Sequence, residues 1–598
     1  MTEKRPYGLA WLFFAVTLLL VIAASRIFRL QEMIELGVDE LWSVWQTFGT
    51  PQQILQWTPY DWPPLYYLLL GGWRALVGLH PAMLRYLAVL VFMLACAVMI
   101  RLMQRLGVSR WNVLLGMLAF AAPAYSVFVS LYVRGYMLVA LFAPLSLWLT
   151  LRYFERPTLR RALPLGLTLA AMFLTTLSVI GTFVALGIFS VVVYRKQIWR
   201  WWLPGIIAGG LALPEIISKL SLSVRRVSAT SQQQLPPFGE ALWGLFEFWT
   251  ADAVVVWIAV ILVASLLLIL RKQLNRKAVG ALLWLFTPAL LYFFNDYIGL
   301  FMPYRYTAWA MVGLALWLGL GLSQLPRPGR VVAGGVLLGL AFLPIPTRSY
   351  EYFSSSFGNS IAWLADHMQA GDVILIDPNW QDPLCGCRLD ADWDYYSRVF
   401  FPDGMPFVDA PEGHRRVWYV TWQSRQDPEM EARVNTGRIP GIFVGPPEVL
   451  FRLYEGPPDS EGIRFENGLR FHGIEFVDTL AFPIAHEGES LQVRLWWATD
   501  EVQTADYSIS LQVFFEGELV FQQDGPVKVD GIAQETSQWE PGRLYLDERT
   551  IDIPYPAVQG NYEVKLTVYQ WWDNVRLNAP GVDADRLLPV GNIHVKSW

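Results

Sequence analysis

Between residues 8 and 346 the chain is a succession of apolar stretches, each near the length that crosses a bilayer, separated by turns carrying clustered arginine and lysine. In hydrocarbon every backbone N–H and C=O must be satisfied within its own segment, so such a chain is driven into a bundle of spanning helices. The first stretch, Gly8 to Ser25, follows Lys4 and Arg5. It is longer than the apolar core of a signal peptide and is followed by many more spans, so it is expected as an uncleaved helix that starts in the cytoplasm. Further spans are expected at 84–104, 111–130, 135–152, 162–177, 179–194, 201–219, 253–270, 278–294, 304–322 and 331–346.

The positive-inside bias sorts these spans. Cytoplasmic turns are marked by Arg101, Arg105 and Arg110; by Arg152, Arg156, Arg160 and Arg161; by Arg195, Lys196 and Arg200; by Arg271, Lys272, Arg276 and Lys277; and by Arg327 and Arg330. Two candidate spans separate each consecutive pair, which puts the first loop, the turn at Arg134 and residues 220–252 and 295–303 on the outer side. The segment 64–79, headed by Pro63-Pro64, breaks the alternation if counted as a full span and reads as short, tilted or re-entrant. The expectation is an integral protein of the cytoplasmic membrane with about 11–13 spans.

The overall composition, 54% hydrophobic and 16% charged, averages two unlike parts. After Arg348 the chain turns polar and strand-like. Residues 349–455 read as a small α/β domain, with a helix at Ile361–Met368 and strands at GDVILIDP, Val417–Trp422 and Val449–Tyr454. Residues 456–598 alternate apolar and polar with regular turns, as an antiparallel β-sandwich does. Both lie outside the cytoplasm by this topology. A net charge of −5 carries no basic footprint for nucleic acid. The six His are scattered, Cys385 and Cys387 stand one residue apart and Cys96 falls within a span, so no zinc spacing is present.

Chemistry concentrates in the first outer loop, Glu35 to Leu70. There the adjacent acids Asp39 and Glu40 sit in a Trp-rich segment too polar to span and too apolar to leave the interface. Two acids near a helix start also simply favour its dipole. The sharper reading makes one of them a general base, which needs a carboxylate held at the reacting group and shielded from water. Arg134 stands between apolar helices, where an unpaired guanidinium costs about 2.5–3.5 kcal/mol. It snorkels to the interface, pairs with a loop acid, or offers a planar fork to phosphate oxygens, and Arg305 has the same readings. Tyr304 and Tyr306 flank Arg305 as belt anchors or stacking surfaces. The loop 220–252, with Arg225 and Arg226, reads as a membrane-tethered lid. The pairs Trp496-Trp497 and Trp571-Trp572 read as core packing or as a carbohydrate-stacking platform.

Asp39-Glu40 followed by Trp42, then Asp61-Trp62-Pro63-Pro64-Leu65-Tyr66-Tyr67, then Tyr132-Val133-Arg134-Gly135-Tyr136, and finally Pro303-Tyr304-Arg305-Tyr306 resemble, in order, the landmarks of GT-C membrane glycosyltransferases. The resemblance is to the protein mannosyltransferase, aminoarabinose transferase and RgtA/B/C/D-like branch and covers about residues 1–345. It implies an inverting transfer of a sugar from a polyprenyl-phosphate donor to a glycan, lipid or protein acceptor on the extracytoplasmic face, among membrane lipids and with no nucleic acid. Asp39 would be the base, Glu40 a supporting or alternative acid, and Arg134 and Arg305 the clamp on the donor phosphate. Trp42, Asp61, Tyr66, Tyr132, Tyr136, Tyr304 and Tyr306 would line the cleft. Asp61 stands where many relatives carry another residue. The resemblance leaves divalent-metal dependence open, because the family holds both kinds. Rival readings are a transporter or flippase for lipid-linked precursors and a non-catalytic scaffold carrying the β-sandwich as a binding module. No matched half-repeats with broken helices favour the first, and the second leaves the motifs without a use.

Overall fold

A computed structural model describes residues 8–30, 36–57, 63–230, 237–298, 304–343, 357–379, 390–401, 403–421, 426–445, 450–477 and 483–596. The chain divides into two compact units, Met1–Gly358 with Asp390–Val399, and Asn359–Leu389 with Phe400–Trp598.

The first unit is helical. Its helices are α1 (Leu9–Arg29), α2 (Val38–Trp45), α3 (Pro51–Trp57), α4 (Leu65–Val77), α5 (Pro81–Arg105), α6 (Val113–Ala121), α7 (Ala124–Val129) and α8 (Tyr136–Glu155), then α9 (Leu159–Phe173), α10 (Ile180–Tyr194), α11 (Trp202–Thr230), α12 (Phe238–Thr250), α13 (Val254–Leu270), α14 (Arg276–Ile298), α15 (Met311–Leu322) and α16 (Arg327–Phe342). Among the described residues, five stretches are long and apolar enough to cross a membrane: Leu9–Arg29, Pro81–Arg105, Tyr136–Glu155, Phe238–Leu270 and Arg276–Phe294. Helix α4 has 13 residues and reaches about 20 Å, short of the roughly 30 Å core. That accounts for the break it makes in the alternation. The segment expected as one span at 111–130 is two helices, divided at Ala122–Pro123, because Pro123 cannot continue the ladder of α6.

Small residues bring the helices together. A Cβ at Gly313 would lie 2.5 Å from the Leu285 backbone nitrogen, one at Gly319 2.8 Å from the Gly116 Cα, and one at Gly321 2.6 Å from the Ala264 carbonyl. Helix α15 thus packs against α14, α6 and α13 at backbone distance, the contact small residues permit in membranes. Arg26, fully buried, donates to the Ala121 carbonyl at 2.7 Å and the Ala341 carbonyl at 2.8 Å. Those are orphan acceptors at the C-terminal ends of α6 and α16, so one guanidinium of α1 caps two helices.

The polar stretch expected as a loop at 220–252 is helical on both sides. Helix α11 continues to Thr230 and α12 begins at Phe238, while the side chains of Arg225 and Arg226 lie outside the described part.

The second unit holds three larger sheets. Strands β1 (Val373–Ile376), β2 (Arg416–Thr421), β3 (Ile439–Val444) and β4 (Leu450–Glu455) form one in the order β1-β2-β4-β3, with β1 and β2 parallel. Strands β5 (Ile463–Arg464), β6 (Leu469–Phe476), β7 (Ile484–His486), β8 (Ser490–Thr499), β9 (Ser508–Phe515) and β10 (Glu518–Gly525) follow, then a short β11–β12 ribbon (Val527–Val529 with Ile532–Gln534), β13 (Tyr545–Asp552), β14 (Gly560–Tyr569) and β15 (Leu588–Lys596). They make two sheets, β10-β9-β14-β15-β7 and β13-β8-β6-β5. Inward residues such as Leu495, Trp497, Leu511, Val513, Val564 and Leu566 form one continuous core, the expected sandwich. The fold class is therefore a helical membrane bundle followed by an α/β sheet and an antiparallel sandwich.

Trp497 packs on Phe471 inside that core, and Trp496, also buried, donates to Glu475. Neither forms an exposed platform, whereas Trp571 and Trp572 are exposed.

Candidate functional site

Helix α2 starts after Gly37, and Glu40, its third residue, reaches back to accept the Gly37 N–H at 2.9 Å, one half of a capping box. The rest of the Glu40 carboxylate is spent on the bundle. Arg85 of α5 donates to Oε1 at 3.1 Å and to Oε2 at 2.6 Å, and the Val133 N–H donates to Oε1 at 2.9 Å. Glu40 and Arg85 are both buried. One carboxylate therefore ties together the start of α2, helix α5 and the turn before α8, and its oxygens already have partners. Its chemistry is that of a fastener.

The phase of α2 turns the neighbouring acid elsewhere. Arg134 Nη2 lies 3.8 Å from Asp39 Oδ1, and Arg305 Nη1 lies 3.0 Å from Asp39 Oδ2. Oδ2 is shielded from solvent and meets the Arg305 guanidinium as an ion pair. Burial works against the ionised form, but the guanidiniums of Arg134 and Arg305 outweigh it and hold the Asp39 carboxyl below the usual carboxylate range. Arg134 is further fixed by donating to Ser43 Oγ and to the Asp39 carbonyl, both at 3.2 Å.

Aromatic rings wall this cluster. Tyr132 and Tyr136 are buried and stack at 6.1 Å with planes 4° apart, and Tyr306 lies 5.9 Å from Tyr136. Tyr66 and Tyr67, at the head of α4, are buried and meet edge to face. The residues expected at the site thus converge in Asp39, Arg134 and Arg305 with Tyr132, Tyr136 and Tyr306. Two expected residues are turned elsewhere. Trp42 pairs with Trp45 at 5.3 Å, and Tyr304 packs among Phe248, Tyr292 and Gly244. Asp61 and Pro303 lie outside the described residues, as do Cys385 and Cys387.

Arg85 and Ser43 join the cluster without standing in any of the sequence motifs. Arg85 carried a usable signal, since a charge within an apolar helix is costly and is normally paired or functional. A divalent ion does not suit this arrangement. Two guanidiniums already face Asp39 and Arg85 occupies Glu40, and the described residues contain no group of three or more His, Cys, Asp or Glu able to hold a metal.

No family model matches this sequence, and no curated protein matches it. Among solved structures, ArnT from Cupriavidus metallidurans bound to undecaprenyl phosphate superposes with a TM-score of 0.53 at 13% identity, over 75% of this chain and 98% of that one. The same protein in the apo state gives 0.51 at 12% identity, over 74% and 98%. Likeness at that identity speaks for architecture, and over about three quarters of its length this integral membrane protein has the GT-C fold of ArnT.

Proposed function

We propose that the protein is an inverting glycosyltransferase that moves a sugar from a polyprenyl-phosphate donor to an acceptor hydroxyl on the extracytoplasmic face. The observation that carries this reading is a single carboxylate, Asp39, set between two guanidiniums on an outer-loop helix. In the step so derived, the acceptor oxygen forms a bond to the anomeric carbon as that carbon's bond to the phosphate oxygen breaks. The hydroxyl proton passes to Asp39, and the lipid phosphate leaves with the bonding pair. Negative charge grows on the leaving phosphate, where fixed cations at Arg134 and Arg305 lower the barrier. Glu40 and Arg85 keep α2 in register with that position.

The ligand in the ArnT complex, undecaprenyl phosphate, belongs to the class that such a reaction releases. The charge bias of the turns favours an extracytoplasmic side for the second unit, residues 359–389 with 400–598. The test is to incubate the purified protein in nanodiscs with a panel of polyprenyl-phosphate sugars and candidate acceptors. The expected result is release of lipid phosphate in step with a glycosylated product. Donors that bind but are never turned over would overturn the reading in favour of transport.

A further inference from the structure

Arg134 and Arg305 meet Asp39 in different ways. Arg134 is buried, and its bonds to Ser43 and to the α2 backbone make its guanidinium part of the wall. The Arg305 side chain is 26% exposed, while the backbone that carries it is fastened. The Tyr125 hydroxyl donates to the Arg305 carbonyl. Thr307 Oγ1 donates to the Tyr304 carbonyl at 2.6 Å and accepts from Trp249 Nε1 of α12 at 2.9 Å. The Tyr304 ring fills the space at Gly244, where a Cβ would come within 2.5 Å of its hydroxyl. An arginine held at its backbone, whose side chain is partly exposed and lies over the Tyr306 ring, can turn about its own torsions while the fold stays still.

We propose that Arg305 is a shared arm: it holds Asp39 while the donor site is empty and passes to the donor's phosphate on binding, so that Asp39 can take the acceptor's proton only with donor in place. The proposal rests on the reading of the donor as a lipid phosphodiester. The groups facing Asp39 are Arg134 and Tyr132 from the turn before α8, Arg305 from the turn before α15, and Tyr67 and Tyr136 beside Arg134. Glu40 is neutralised by Arg85. A carboxylate between two guanidiniums keeps its charge and is a weak base. A phosphodiester that draws Arg305 away removes one cation from Asp39 and brings a like charge near it, and both changes raise its proton affinity. Binding is therefore linked to proton uptake on the acid side.

The test is calorimetric binding of a non-transferable polyprenyl methyl phosphodiester to the full chain in nanodiscs at about pH 5, in two buffers of different ionisation enthalpy. The ligand is fully ionised there, so the protons counted belong to the protein. The expected result is uptake of a fraction of a proton per ligand by the wild type, none by Asp39→Asn, and less than half the wild-type value by Arg305→Gln. Wild-type binding with no more uptake than Asp39→Asn would overturn the shared arm while leaving the transferase reading in place. Absence of any binding would overturn both.

Discussion

Arg85 and Glu40 meet at two points, Nε to Oε1 at 3.1 Å and Nη2 to Oε2 at 2.6 Å, with both side chains buried. Removing one partner of such a pair leaves a buried charge without compensation, which costs about 3–5 kcal/mol. Glu40→Gln is therefore expected to lower the unfolding temperature sharply, apart from any effect on turnover. Adding Arg85→Met is expected to recover part of that loss, because the orphan charge is gone and the Gln carbonyl still accepts from Gly37 or Val133. Thermal unfolding of both variants in nanodiscs checks this, and an unchanged midpoint for Glu40→Gln would show that the pair fastens nothing.

Asp39→Asn keeps the shape of α2 and removes the carboxylate proposed to take the acceptor's proton. Transfer is expected to fall by at least roughly 100-fold, as for loss of a general base, with donor binding retained. The pH dependence follows from the depressed carboxyl of Asp39. A group whose folded value lies below its unfolded one contributes stability that is fully present above the unfolded value and is lost as pH falls through the folded value. Donor-free protein is thus expected to keep the Asp39 contribution at neutral pH and through the ordinary carboxylate range near about 4, losing it only below. Unfolding midpoints against pH for wild type and Asp39→Asn should converge at the acid end. Curves separated by a constant gap would count against the ion pairs.

Arg134→Lys retains the charge and loses the planar fork. A compact ammonium cannot reach Ser43, the α2 carbonyl and a phosphate together. Loss of one charge-assisted hydrogen bond is worth about 1.5–3 kcal/mol, a factor of roughly 10 to 100 in turnover. Steady-state kinetics with varied donor measure it, and wild-type values for both turnover and donor KM would remove Arg134 from the site.

The polar cluster was legible because charges in an apolar chain are expensive and so stand out. Arg134 and Arg305 stand out on that ground, whereas Asp39 stands out as half of an acid pair in a Trp-rich interfacial segment. Arg85 met the same criterion and was missed because average hydropathy absorbed it into the span 84–104. The division of labour between Asp39 and Glu40 turns on the phase of α2. A glutamate at the third helical position after a glycine cap is bound to its own helix start, and the adjacent acid is free to face another way. Of the stretch 220–252, the parts up to Thr230 and from Phe238 are helical, because Ser and Arg signal solvent and are also adequate helix formers, while its Gln-rich middle lies outside the described residues. In β8 the alternation places one Trp of the pair outward, but Trp496 is covered by Arg494 of its own strand and by Glu475 of the neighbouring β6, a partner 21 positions away that no local pattern displays.

The sandwich carries one ion pair whose removal has a computable consequence. Asp547 and Arg549 of β13 are both buried and meet at 2.6 Å. Arg549 also donates to the Ile509 and Gln523 carbonyls, and Asp547 accepts the Lys528 N–H at 2.9 Å, so the pair stitches β13 to β9, β10 and β11. Burial pushes the Asp547 carboxyl up in spite of Arg549, which makes its ionised form dependent on that partner. Arg549→Met keeps an unbranched apolar stem and deletes the charged partner. The expected loss is about 3–5 kcal/mol at neutral pH, shrinking as pH falls, because a protonated Asp547 needs no counter-ion. Near-ultraviolet circular dichroism during denaturant unfolding, run at several pH values, measures it. A loss of the same size at every pH would mean that Arg549 acts through its carbonyl contacts alone and that Asp547 is already protonated in the fold.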